Sequence, residues 1–269
     1  MKPRPLAIAF TSLFAAASLF AETKPPAVPG APAAPVAPAP AKPAAPAVKL
    51  PPQLPNVAAP KMGPDGKPNE GFINAHESFV KIAKEGKVGL LFLGDSITAG
   101  WGSKKAVWDK AFGAYKPANF GIGGDRTQHV LWRIENGELD GIKPKAAVIM
   151  IGTNNSGSDP ADGIAKGVTK IVESVRAKSP KTKILLLAVF PRGEKASPNP
   201  GRDKLAQVNA TIAKLDDGKN VFFLDIGSKF LESDGSLTKE IMPDFLHLSE
   251  KGYQIWADAI SPKLKELMK

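Results

Sequence analysis

Beyond residue 61 the chain alternates short apolar runs with longer stretches in which apolar residues recur every three or four positions. The short runs predict strands at Gly89–Leu93, Pro117–Phe120, Ala146–Ile151, Ile184–Val189 and Val221–Leu224, each followed by a polar or glycine-rich turn. The helical period covers Gly71–Lys84, Thr127–Asn136, Asp162–Lys178, Arg202–Leu215 and Lys251–Met268. Strand-length runs interleaved with helices argue for parallel βαβ units. The expected architecture is an α/β, flavodoxin-like three-layer sandwich: a five-stranded parallel sheet of order 2-1-3-4-5 with helices on both faces. Sites in such sheets form at the carboxyl ends of the strands, so the residues just after each strand are the first candidates for chemistry.

The first 61 residues carry a different pattern. A basic MKPRP is followed by a 15-residue apolar run, Leu6–Phe20, and then small residues. That is the layout of a secretory signal peptide, expected over residues 1–21, and the run is shorter than the ~20 residues of a membrane span. Cleavage after Ala21 would place Leu19 at the minus-three position, whereas Ala15-x-Ala17 obeys the small-residue rule but lies early, so the cut site stays open. From Lys24 to Pro60 the chain is almost entirely Ala, Pro, Val and Lys and holds 13 of the 26 prolines. Such a segment builds no core; it reads as a disordered linker over 22–61, extended in polyproline II at about 3.1 Å per residue. The reading is an exported, periplasmic or extracellular protein, with the linker either a surface tether or a tolerated tail.

Composition then narrows the chemistry of residues 62–269. A domain of this length buries roughly 70% of its unfolded surface and needs no metal or disulfide to fold. Cysteine is absent, which excludes a disulfide scaffold, a thiolate metal site and a cysteine nucleophile. Three histidines, His76, His129 and His247, are too few and too scattered for a multi-histidine metal centre, so no metal is expected. The net charge is +10, but the leader and the segment through Lys61 carry half of it. A surplus that small, with no basic run longer than Lys104-Lys105, argues against a nucleic-acid partner.

The strand ends hold four blocks in order: Gly94-Asp95-Ser96-Ile97-Thr98, Gly121-Ile122-Gly123-Gly124-Asp125-Arg126, Gly152-Thr153-Asn154-Asn155 and, near the C-terminus, Asp244-Phe245-Leu246-His247. Each alone is a common turn sequence; four at successive strand ends or the C-terminal loop are specific. They resemble the SGNH, or GDSL, hydrolases, whose blocks centre on Ser, Gly, Asn and His. Within that family, Asn119–Asp125, Thr127–Arg133, Pro191–Lys195 and Asp244–Leu248 are similar to the platelet-activating-factor acetylhydrolase catalytic subunits of the Ib alpha type. The resemblance runs from about Leu90 to Ala257 and leaves out the leader and linker. Those mammalian enzymes are cytosolic, so biological role does not follow from it.

The resemblance implies that Ser96 is the nucleophile, and a serine at a strand-to-helix turn has its hydroxyl exposed with a helix N-terminus aimed at the reacting carbonyl. A simple helix cap is the plain alternative for an isolated serine. His247 is the expected general base, and Asp244, three residues earlier, can accept its Nδ1 proton and fix the tautomer. The oxyanion of a tetrahedral intermediate needs preorganised donors: the backbone N–H groups of Ser96 and Gly124 and the side-chain amide of Asn154. Asn155 is a rival that spacing does not dismiss; the resemblance favours Asn154. His129 reads as packed or exposed rather than catalytic, and Asp95 and Arg126 as scaffold, through turn hydrogen bonds and helix-start electrostatics.

Ile97, Thr153 and Leu246 flank these residues, and the resemblance places them around the acyl group as substrate-binding residues. Two are bulky aliphatics, which predicts a preference for acetyl over long acyl esters. The expected activity is that of a serine esterase acting without cofactor on a small-molecule or glycan ester. A lysophospholipase or thioesterase of the same fold is the alternative enzyme, and a non-catalytic glycan-binding module the alternative class; binding alone requires no base beside a hydroxyl. The relatives form dimers, which makes a homodimer an expectation without a legible interface.

Overall fold

The computed structural model describes residues 51–269; the expected leader and most of the linker lie outside the described residues. Five parallel strands form one sheet: β1 (Leu90–Gly94), β2 (Pro117–Gly121), β3 (Ala146–Met150), β4 (Lys183–Leu187) and β5 (Val221–Leu224), ordered β2-β1-β3-β4-β5. The expected order holds. Around them run α1 (Glu70–Lys84), α2 (Ser96–Ala99), α3 (Lys105–Phe112), α4 (Thr127–Glu135), α5 (Ala161–Lys178), α6 (Pro200–Ile212) and α7 (Glu250–Leu267). The short α2 and the two-turn α3 do not figure among the predicted helices.

The strand sequences explain their places. β1 and β3 are buried at every position, because a parallel sheet covered on both faces turns its central strands into continuous apolar runs. β2, at one edge, alternates and begins with Pro117, where the missing N–H breaks no ladder bond. Helix starts are fixed by side-chain caps: Asn69 accepts from Phe72 N–H, Asn199 from Arg202 N–H, and Ser249 from Gly252 N–H. Register aligns Gly94 of β1 with Gly121 of β2 and Met150 of β3, so three strands end at one level. Gly94 permits close approach there, since a Cβ would lie 2.4 Å from Met150 O and 2.2 Å from Thr98 Oγ1.

Two buried assemblies position the strand ends. One is aromatic: Trp101, just after α2, lies 4.6 Å from Tyr253 and 5.1 Å from Trp256 of α7 between ring centroids. The Tyr253 hydroxyl donates to Ile97 O at 2.6 Å, tying α7 to the turn that carries Ser96. The other is ionic: Arg133 on α4, wholly buried, pairs with Glu138 and lies 3.0 Å from Asp125. Arg133 also donates to Phe120 O and Gly94 O, pinning the ends of β2 and β1.

Residues 51–61 depart from the linker expectation. Pro55 is buried and its carbonyl accepts from Thr127 Oγ1 at 2.7 Å, Ala59 N–H donates to Gln128 O, and Gln53 meets His129. The composition is that of a spacer, but these contacts come from residues about seventy positions away, which composition does not record. The folded body thus takes in chain from before Met62. A cavity of about 540 Å3 ringed by Lys143, Lys145, Lys178, Lys181 and Lys183 lies at the amino ends of β3 and β4, the pole opposite Ser96.

Candidate active site

Ser96 is the first residue of α2, immediately after the buried Asp95, whose carboxylate caps the helix by accepting from Ile97 N–H at 2.9 Å. Capping is therefore the work of Asp95, and the Ser96 hydroxyl meets His247 Nε2 at 2.8 Å. On the other side of the ring, His247 Nδ1 lies 2.6 Å from Asp244 Oδ2. An ionised Asp244 can only accept, so Nδ1 carries the proton and Nε2 faces the Ser96 hydroxyl as an acceptor. Asp244 Oδ1 accepts in addition from the backbone N–H groups of Leu246 and His247. Burial pushes the Asp244 carboxyl up, but the hydrogen bonds from His247 and the two amides outweigh it and hold the group below the ordinary carboxylate value. Phe245, between the pair, sits at φ 58, a left-handed conformation that a bulky residue adopts only when its surroundings impose it. Its carbonyl accepts from Gly193 N–H at 2.8 Å.

The second and third blocks close on the same place. Gly124 has φ 73, which favours glycine. The Ser96 N–H is an amide left without an intrahelical acceptor, and among the described residues neither it nor the Gly124 N–H meets a protein backbone acceptor. Asn154 Nδ2 donates to Asp125 O at 2.8 Å and lies 3.4 Å from Asp95 Oδ2, so it stands between the neighbours of Gly124 and of Ser96. Asn155 is buried and committed elsewhere: it accepts from Thr127 N–H and donates to Gln128 and Asp159. Asn154 thus lies beside the neighbours of Ser96 and Gly124, while Asn155 faces Thr127, Gln128 and Asp159.

Of the three residues expected around the acyl group, Ile97 and Thr153 are buried, and only Leu246 keeps partial exposure. The Thr153 hydroxyl and carbonyl both accept from Arg192. Arg192 follows β4, in the Pro191–Lys195 stretch that the resemblance marks without giving it a role. Arg202 clasps the same stretch through the carbonyls of Arg192 and Gly193. Sequence reasoning assigned no function to Arg133, Arg192, Arg202 or Tyr253; their work is to hold strand ends and loops, and the recurrence of cations beside the glycine turns was the only available signal.

Buried titratable groups cluster beneath the site. Burial raises the Asp95 carboxyl to about 7, helped by Asp125 and opposed by the Ile97 N–H and His247. Burial likewise raises Asp125, against Arg133 and Lys61. His129 is lowered to about 3, by burial first and then by Lys61, Arg126 and Arg133. Its Nδ1 accepts from Arg126 N–H, so a neutral ring donates from Nε2 to Gln53 Oε1. Of the packed and exposed alternatives expected for His129, the structure shows the packed one.

A doubly wound parallel sheet with a serine, a histidine and an aspartate linked at its carboxyl end defines the class of α/β acylhydrolases. The chain belongs to the GDSL-like lipase/acylhydrolase family, which residues 92–255 match. It is 41% identical over 197 residues to platelet-activating factor acetylhydrolase IB subunit alpha2 of Rattus norvegicus, covering 73% of this chain and 84% of that protein. It is 38% identical over 198 residues to the human alpha1 subunit, with the same coverage. Among solved structures, a GDSL-like lipase from Bacteroides thetaiotaomicron superposes with a TM-score of 0.59 at 20% identity, over 72% of this chain and 97% of that one. That likeness concerns the fold.

Proposed function

We propose that this acylhydrolase is a serine esterase for short-chain, above all acetyl, esters. The observation that carries the reading is the continuous relay Ser96 Oγ, His247 Nε2, His247 Nδ1, Asp244 Oδ2, with spacings of 2.8 and 2.6 Å. His247 takes the Ser96 proton as Oγ attacks the ester carbonyl, and Asp244 stabilises the imidazolium. Negative charge on the former carbonyl oxygen is met by the Ser96 and Gly124 N–H groups and the Asn154 amide. His247 then protonates the departing alcohol, and water repeats the sequence on the acyl-serine. No step calls for a cofactor.

The acetyl preference is supported by the relatives named acetylhydrolases and by the aliphatic Leu246, partly exposed beside His247. The apolar run at Leu6–Phe20 supports export, which favours a glycan ester or a diffusible small ester as substrate. The test is hydrolysis of 4-nitrophenyl esters from acetate to octanoate by the full chain and by Ser96→Ala. Activity that falls with chain length and vanishes in the variant is expected. Faster turnover of octanoate than acetate would overturn the acyl preference, and a fully active Ser96→Ala would overturn the relay.

A further inference from the structure

We propose that Lys61, at the end of the proline-rich stretch, is a positioning residue that holds the Gly123–Gly124 peptide with its N–H aimed as an oxyanion donor. This role deepens the serine esterase reading and rests on it. The bond from Asp125 N–H to Ile122 O at 3.1 Å and the φ of 73 at Gly124, with no left-handed φ at Gly123, make Ile122–Asp125 a type II turn. Types I and II differ by turning over the central peptide, with φ of the third residue about −90° in one and about +80° in the other. Two central glycines admit both forms. Here the central peptide is the C=O of Gly123 and the N–H of Gly124, so the flip would put a carbonyl oxygen where the oxyanion needs a donor.

Little besides Lys61 decides between the two forms. Both glycines are exposed. Chain neighbours aside, a Cβ built on Gly123 meets no heavy atom of the described residues within 4 Å, and one on Gly124 meets only Lys61 Nζ, at 3.6 Å. The Lys61 ammonium donates to Gly123 O. A trans peptide is planar, with its C=O and N–H pointing opposite ways, so a grip on the oxygen sets the direction of the Gly124 N–H. A charged donor on that oxygen also polarises the peptide unit and strengthens the N–H at its other end.

The grip is itself anchored. Lys61 Nζ lies 2.9 Å from Oδ1 of Asp125, which is wholly buried and held by Arg133 at 3.0 Å. The carbonyl of the same Asp125 accepts from the Asn154 amide at 2.8 Å, so one ammonium steadies the surroundings of two expected oxyanion donors. The backbone is fixed as well: Lys61 O accepts from Asn69 N–H at 2.7 Å, and Ala59 N–H donates to Gln128 O at 3.1 Å. The end of a stretch expected to be a spacer thereby enters the reaction through one side chain.

The experiment measures hydrolysis of 4-nitrophenyl acetate by the full chain as wild type, Lys61→Met, Lys61→Arg and Thr182→Val, each well below its Tm. Thr182→Val loses a buried bond to Pro144 O at 2.6 Å, at the pole opposite Ser96, and reports what lost stability alone does. Acylation and deacylation both pass through an oxyanion, so a misaimed donor lowers kcat and leaves KM in place. Lys61→Met is expected to lose about 5- to 100-fold in kcat, less than the roughly 10²- to 10³-fold of deleting a donor, with KM changed by less than about threefold. Lys61→Arg, which keeps a cation and several donors, should recover part of the loss, and Thr182→Val should turn over as wild type. If Lys61→Met does not fold, Lys61→Gln, with a neutral donor and no charge, carries the same expectation at a smaller loss. A second readout needs no activity: 15N relaxation and dispersion of the Gly124 amide should report one ordered state in wild type and added motion or a second conformer in Lys61→Met. Unchanged kcat in Lys61→Met, or an equal loss in Thr182→Val, overturns the positioning role. If wild type hydrolyses no ester, the esterase reading fails by itself, while a Gly124 amide as ordered in Lys61→Met as in wild type overturns the role of Lys61 independently.

Discussion

Replacing Asp244 separates its two tasks, because Asn and Ala fail differently. The carboxylate fixes the His247 tautomer through Oδ2 and folds its own loop through Oδ1, which accepts from two backbone amides. Asn can keep the Oδ1 bonds, but it then presents an amide donor to Nδ1. His247 would have to accept at Nδ1 and carry its proton on Nε2, where it cannot take the Ser96 proton. Ala removes the loop bonds but imposes no tautomer. The electrostatic part follows from exposure: the side chains of His247 and Asp244 are 44% and 54% exposed, so the pair sits between the aqueous and protein-surface limits. For charges about 4 Å apart those limits are roughly 1 and 4 kcal/mol, about 5- to 10³-fold in kcat. Asp244→Ala should therefore lose about 5- to 10³-fold on 4-nitrophenyl acetate, and Asp244→Asn at least as much, while His247→Ala loses at least about 10⁴-fold. Stability should rank the other way, with Asp244→Asn melting above Asp244→Ala. Steady-state kinetics and thermal unfolding of the three variants check both orders. An Asp244→Asn enzyme faster than Asp244→Ala would refute the tautomer argument.

Four further outcomes are expected. Tyr253→Phe removes the buried bond to Ile97 O and should cost about 1–2 kcal/mol, read as a Tm about 2–8 °C lower. Arg133→Met strands the buried Asp125 and Glu138 and should cost about 3–5 kcal/mol in urea unfolding; a loss below 1 kcal/mol would contradict the pinning role. The raised Asp95 carboxyl keeps a proton that the unfolded chain releases, so its contribution to stability is present below the ordinary value of 3.8 and is lost as pH rises towards about 7. Asp95→Asn should abolish that loss, measured as unfolding free energy against pH, and an unchanged slope would count against the burial argument. A chain beginning at Met62 lacks Lys61 and the bonds of Pro55 and Ala59; it should melt at least about 2 °C below one that includes residues 51–61, since more than 1 kcal/mol is removed.

What was legible in the residues was local and periodic; what was not is either too short to show a period or acts over long separations. β1, β3 and β4 announce themselves because burial on both faces makes them uninterrupted apolar runs. Asp244 and His247 are readable as a pair because three residues of chain hold them together. The four-residue α2 has too few positions to display a helical period, and α3, with two turns and three charged residues among eight, shows it only weakly. Ser96 and His247, 151 positions apart, could be joined in advance only through family resemblance, since no periodicity links them. Lys61 had no such help: it lies in a stretch whose composition says linker, and its partner Asp125 is buried beneath a glycine turn. Proline density constrains what a segment does by itself, removing donors and extending the backbone, yet an extended strap with free carbonyls is well suited to lie along a folded body that supplies the donors. Thr127 is such a donor to Pro55. The two readings of the stretch are therefore physically continuous, and the side chains beyond it decide where linker ends and domain begins.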